Sequence, residues 1–151
     1  MKKRGNFVFL AVCLLWTAFI FARSLKSGVE SSQESGAAMA LVDRVLAFLG
    51  VAWRPSELLL RKLGHFSEYF VLGALAYPSA KPWAPRRPGL WTLGYALLVA
   101  LLDEFLMQNL SPGRGPSILD VFIDLSGAAV ALLLLLGISW LWEKRKNKVK
   151  F

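Results

Sequence analysis

Apolar residues fall in four long blocks separated by short polar segments. The first covers Phe7–Ala22, the second runs from about Leu58 to Tyr77 and meets Pro78, the third covers Leu90–Gln108, and the fourth, the most apolar, covers Ile118–Trp142. Blocks of about 20 apolar residues match the ~30 Å hydrocarbon core of a bilayer. The first block gives only about 24 Å of helix, so it is expected to run on toward Leu25 with Arg23 snorkelling. The pattern predicts an all-α polytopic membrane protein: a four-helix transmembrane bundle forming a single domain over residues 1–151. The expected spans are about 7–25, 58–77, 90–108 and 118–142.

Between the first two spans lies a loop, residues 26–57. Ser24–Gly36 is polar and rich in turn-forming residues. Ala37–Phe48 instead alternates at helical spacing, with Met39, Leu41, Val42, Val45 and Leu46 interleaved by Asp43 and Arg44. That spacing predicts a short amphipathic helix lying on the outer face of the membrane or capping the bundle. Ala96/Ala100 and Gly127/Ala131 recur four apart and predict close helix contacts. Trp91, Trp140 and Trp142 fall where interfacial aromatics are expected.

Charge fixes the expected orientation. The net charge is +8, with 56% hydrophobic residues. The basic residues cluster at Lys2-Lys3-Arg4, at Lys81, Arg86 and Arg87, and at Lys144, Arg145, Lys146, Lys148 and Lys150. An even number of spans between successive clusters puts all three on one side, which the positive-inside rule makes cytoplasmic. Both termini of this cytoplasmic-membrane protein are therefore expected in the cytoplasm, and nucleic acid is not an expected partner. The sequence after the first block has no small-residue cleavage site, so this block is read as a retained span rather than a signal peptide. The one cysteine, Cys13, excludes an intrachain disulfide, and no C-x-x-C pair exists.

Against this apolar background stand Lys62, His65, Glu68, Asp103, Glu104, Gln108, Arg114, Asp120 and Asp124. Ionisable groups at membrane depth are costly, and they face one another or a wet cavity. Lys62, His65 and Glu68 are three apart, and Tyr69 lies four after His65, so these share a helix face. An interfacial helix end accounts for Arg61. It does not account for Glu68, about 15 Å of helix from Pro78 and so near mid-membrane. Glu104 and Gln108 also share a face, while regular helix geometry turns Asp103 about 100° away. Ser117 and Asp120 have capping-box spacing ahead of the fourth span. Capping does not explain Asp124, one turn further in. Arg114 is the natural cation for this acidic group or for an anionic ligand. All ten residues fall toward the outer ends of spans two, three and four, which predicts one outward-opening polar pocket.

The residues also carry a resemblance. Arg61-Lys62-Leu63-Gly64-His65-Phe66-Ser67-Glu68-Tyr69-Phe70, with Leu72-Gly73 after it, resembles the first signature of the VanZ family. Asp103-Glu104-x-x-x-Gln108, Ser111-Pro112-Gly113-Arg114 and Asp120-x-x-x-Asp124-x-x-Gly127 resemble the second. One departure is Asp124, where the family often carries Asn. The resemblance implies a small bacterial polytopic membrane protein. The name-giving member is associated with low-level resistance to teicoplanin-type glycopeptides.

Three functions fit these residues. The first is an envelope protein whose pocket binds an anionic lipid or lipid-linked headgroup through Lys62, His65 and Arg114, with membrane lipids, a lipid-linked cell-wall precursor or a glycopeptide as partner. The second is an envelope enzyme acting on a lipid-linked substrate through a His/carboxylate acid–base pair or a divalent metal on Asp103, Glu104, Asp120 or Asp124. The third, an ion-coupled translocator, is disfavoured because the cytoplasmic halves of the spans lack charges to continue a path. No H-E-x-x-H or similar dedicated metal spacing exists, so neither a metal nor a cofactor is expected from motif evidence.

Overall fold

The structure is a computed structural model; it describes the backbone of residues 2–148 and the side chains of residues 7–147. Of the basic clusters, Lys150 and the side chains of Lys2, Lys3, Arg4 and Lys148 lie outside the described residues. Every regular element among the described residues is helical. The elements are α1 (Lys2–Ser24), α2 (Gly28–Phe48), α3 (Glu57–Ala80), α4 (Pro88–Leu102) and α5 (Ile118–Lys148), with a π-helical turn (Asp103–Met107) and a 3₁₀ turn (Gln108–Leu110) after α4.

Three stretches, Phe7–Ser24, Pro88–Leu110 and Ile118–Asn147, are long and apolar enough to cross a membrane. Large side chains on their outer faces, among them Leu15, Phe122 and Leu133, stand exposed. An apolar surface of that extent belongs in lipid, so the chain is a membrane protein. α3 is as long as a span but carries Arg61, Lys62, His65 and Glu68 in its first half. It is the central helix, in contact with α1, α2, α4 and α5.

Several boundaries differ from the sequence-based expectation, each for a local reason. The stretch expected to be turn-rich is helical from Gly28. Ser27 and Glu30 form a full capping box there: the Ser27 hydroxyl accepts the Glu30 N–H and Glu30 accepts the Ser27 N–H, which starts a helix despite the polar composition. α2 is therefore not short: it has 21 residues, none of them buried. α3 does not close at Pro78. That proline lies within its last turn, where the Ser79 hydroxyl donates to the Leu75 carbonyl at 2.7 Å. The third apolar block begins with Pro88 at the first helical turn and leaves α geometry at Asp103, short of the expected Gln108. α5 runs past Trp142 to Lys148, where Lys144 and Lys146 lie over the rings of Trp140 and Trp142.

The core is built from Ile20, Tyr69, Leu72, Ala96, Val99, Ala100 and Ala128. The tightest contact joins α3 and α5. A Cβ on Gly73 would sit 2.7 Å from the Ala128 carbonyl oxygen, and one on Gly127 would sit 2.2 Å from that of Phe66. Only glycine permits this approach. α1 is tied to the same unit by Trp16, whose indole donates to the Glu68 carbonyl at 2.9 Å, and by the 2.8 Å hydroxyl pair of Thr17 and Tyr95. Cys13 is buried in this core.

Candidate functional site

The close crossing of α3 and α5 sets the faces of the two helices against each other one turn above Gly127. There His65 Nδ1 lies 3.2 Å from Asp124 Oδ1. The π turn completes the group. An extra residue in the turn, closed by the Gln108 N–H on the Asp103 carbonyl, redirects side chains that a regular helix would separate. Asp103 and Glu104 are consequently both fully buried, and Asp103 does not point away from its neighbour as ideal helix geometry predicts. His65, Asp103, Glu104 and Asp124 each offer a ligand atom, all within 4.8 Å of one another.

Polar partners hold this group unevenly. Glu104 is fixed at both oxygens. The Gln108 amide donates to Oε1, and the Ser117 backbone N–H donates to Oε2 at 2.9 Å. Both carboxylate oxygens of Asp103, Oδ2 of Asp124 and the hydroxyl of Tyr69 are buried without a hydrogen-bond partner among the described residues.

The remaining charges form a surrounding layer. Lys62 pairs with Asp120 at 2.7 Å. Asp120 therefore does not supply the carboxylate half of the capping box; only the Ser117 hydroxyl half forms, at 3.3 Å to the Asp120 N–H. Glu68 pairs with Arg23 of α1 at 3.2 Å, a partner the sequence had left at the lipid interface. Arg23 and Lys26 also engage Glu34 of α2. The Lys26 hydrogen bond, ahead of the Arg23 charge, holds the Glu34 carboxyl below the usual range. Arg114 pairs with none of the acidic residues: among the described residues neither it nor Arg61 makes an ion pair.

Above the buried group lie two adjoining cavities of about 420 and 870 Å³. Both are lined by Ser31, Arg61, His65 and Arg114. Glu68, Arg23 and Lys26 line the smaller, and Lys62, Gln108 and Asp120 the larger. α2 forms one wall, held at its start by the Gly28 N–H on the Pro112 carbonyl at 2.9 Å, with the Ser111 hydroxyl donating to the Ser24 carbonyl at 2.7 Å beside it. Of the ten expected pocket residues, His65, Asp103, Glu104 and Asp124 converge. Gln108, Lys62, Asp120, Glu68 and Arg114 surround them, and Tyr69 lies in the core below. The residues missed by sequence are Arg23, Lys26, Arg61 and the wall helix α2. The Ser27-x-x-Glu30 spacing signalled α2; nothing local signalled Arg23.

The profile of the VanZ/LLP1 family matches residues 7–141 of this chain. No curated protein and no solved structure matches it.

Proposed function

The chain belongs to the VanZ/LLP1 family, and from that membership and the cleft geometry we propose that it binds the anionic headgroup of a lipid or lipid-linked molecule at the outer face of the bacterial cytoplasmic membrane. One observation carries this reading. Arg61 and Arg114, which make no ion pair among the described residues, both line the two cavities together with His65. Guanidinium groups match phosphate and carboxylate in a bidentate fork, and cations left uncompensated in a cleft favour an anionic guest.

In this proposal α3 is the fourth span. Its charges turn toward α1, α5 and the cleft, and its neighbours supply the apolar coat. Four spans with both termini in the cytoplasm place the cleft outside, with α2 as its lid on the outer interface. A lipid-linked cell-wall precursor would meet it there, and resistance to teicoplanin-type glycopeptides is the cellular effect we assign to that engagement. A second reading, an envelope enzyme using His65 with a carboxylate, is favoured by the unpartnered oxygens of Asp103 and Asp124 below the cleft.

Native mass spectrometry of the purified full chain tests the binding reading. Phosphatidylglycerol and a polyprenyl phosphate should bind in preference to phosphatidylcholine, and Arg61→Ala or Arg114→Ala should weaken acidic lipid binding about tenfold, near 1.4 kcal/mol. Equal retention of phosphatidylcholine, or full acidic lipid binding by both variants, would refute it.

A further inference from the structure

We propose that His65, Asp103, Glu104 and Asp124 form a binding site for one divalent first-row transition-metal ion. The site goes beyond headgroup binding. Only His65 lines the cavities; the three carboxylates lie behind their wall.

The first argument is charge. Asp103, Glu104 and Asp124 are each fully buried, and buried carboxylates require neutralisation. Of the nearby cations, Lys62 pairs with Asp120 and Arg23 with Glu68, while Arg61 and Arg114 line the cavities and form no ion pair with the three carboxylates. Within the group, His65 alone can carry positive charge. One imidazolium does not balance three carboxylates, whereas a dication together with a neutral imidazole does so more nearly.

The second argument is the set of orphaned atoms. Both oxygens of Asp103 and Oδ2 of Asp124 are buried and complete no hydrogen bond among the described residues; the Ser24 side chain lies near Asp103 without closing one. Acceptors placed this way cost free energy unless a proton or a cation meets them. By contrast Glu104 is held by Gln108 and the Ser117 N–H, the kind of outer-layer support that orients a metal ligand.

Geometry and ligand chemistry then select the ion. Ligand atoms around one ion at about 2.0–2.2 Å lie roughly 3–4 Å apart, so atoms already within 4.8 Å need a small contraction. The ligands come from α3, the π turn and α5, which is why no local spacing announced them. One imidazole nitrogen with carboxylate oxygens suits Mn²⁺, Fe²⁺ or Zn²⁺. It lacks the thiolates of a copper(I) or structural zinc site, and the imidazole argues against Mg²⁺ and Ca²⁺.

The test uses the full chain in detergent, purified through a histidine-free tag, stripped with EDTA and titrated with Mn²⁺ alone. His65 is the chain's one histidine, so imidazole ¹⁴N coupling in the pulsed EPR spectrum of bound Mn²⁺ reports this site alone. The expected result is one Mn²⁺ per chain, ¹⁴N coupling, and a rise in unfolding temperature on loading. Asp103→Asn and His65→Gln each remove a ligand and should weaken Mn²⁺ binding by at least about 100-fold, the upper end of what losing a mere supporting residue costs; Glu143→Gln on the far end of α5 should not. Absent ¹⁴N coupling, substoichiometric binding, or unchanged affinity in Asp103→Asn would overturn the proposal and leave a cluster neutralised by shared protons. Should the variants not fold, the ¹⁴N coupling of the wild-type chain decides. No lipid enters this experiment, so its failure leaves headgroup binding standing, and the reverse.

Discussion

Glu104 accepts the backbone N–H of Ser117 at 2.9 Å across thirteen residues of chain. The carboxylate that caps α5 thus comes from the π turn, not from α5 itself. Asp120, which has the spacing for that role, is released to pair with Lys62 on α3. One exchange of partners links three helices and fixes the entry of α5, on which Asp124 sits one turn later. Glu104→Gln keeps a carbonyl acceptor for the Ser117 N–H but loses the charge. It should lower the unfolding temperature less than Glu104→Ala, which strands both Gln108 and the N–H, at about 1–3 kcal/mol per unsatisfied buried group. Thermal unfolding in detergent checks the order of the two variants.

The α3–α5 crossing should be the least tolerant point of the bundle. Gly127→Ala places a methyl where the Phe66 carbonyl oxygen lies 2.2 Å from the Cβ position. It should cost about 1–3 kcal/mol and separate His65 from Asp124. Gly94→Ala on α4 meets nothing within 4 Å and should be neutral or stabilising by about 0.5–1 kcal/mol. Unfolding midpoints of the pair measure the contrast.

The Lys62–Asp120 bridge is partly buried, with about a quarter and a fifth of the two side chains exposed. Lys62→Met alone leaves Asp120 uncompensated and should destabilise. Lys62→Met with Asp120→Leu should recover part of that loss, because removing both charges also removes the desolvation cost. A double-mutant cycle should return a coupling of about 0.5–3 kcal/mol; a coupling of zero would make the bridge a surface feature only.

The topology we propose has a direct labelling test in a Cys13→Ala background. An impermeant thiol reagent applied to intact cells should modify Ala37→Cys on α2 and spare Arg86→Cys until the membrane is opened. The opposite pattern would invert the bundle and put the cleft in the cytoplasm.

Arg114 should be sensitive to shape as well as charge. Arg114→Ala should abolish a glycopeptide-resistance phenotype at normal protein levels, and Arg114→Lys should restore only part, since a point charge does not reproduce a bidentate contact. Leu133→Ala, on the exposed outer face of α5, should leave it intact. Minimal inhibitory concentrations read against immunoblots separate loss of function from loss of protein.

Helical class and the membrane were legible because apolar block length is a one-dimensional property. So were the shared faces of Lys62, His65 and Glu68, which depend only on helical period. What failed depended on departures from that period or on distant partners. Asp103 was expected to turn away from Glu104, and the π turn brings it in. Arg114 was the expected cation for Asp120 and Asp124 or for an anionic ligand; those carboxylates take Lys62 and His65 instead, and Glu68 takes Arg23, whose distance from it in sequence hides the pair. The polar serines and glutamates of residues 27–35 outweighed a capping box that was visible in the same stretch.

A density map of the full chain in nanodiscs containing phosphatidylglycerol tests the central claim most directly. The account predicts a headgroup phosphate between Arg61 and Arg114, above His65 and beneath α2. Acidic lipid ordered only along the outer faces of α1, α4 and α5, with the cleft holding water alone, would contradict it.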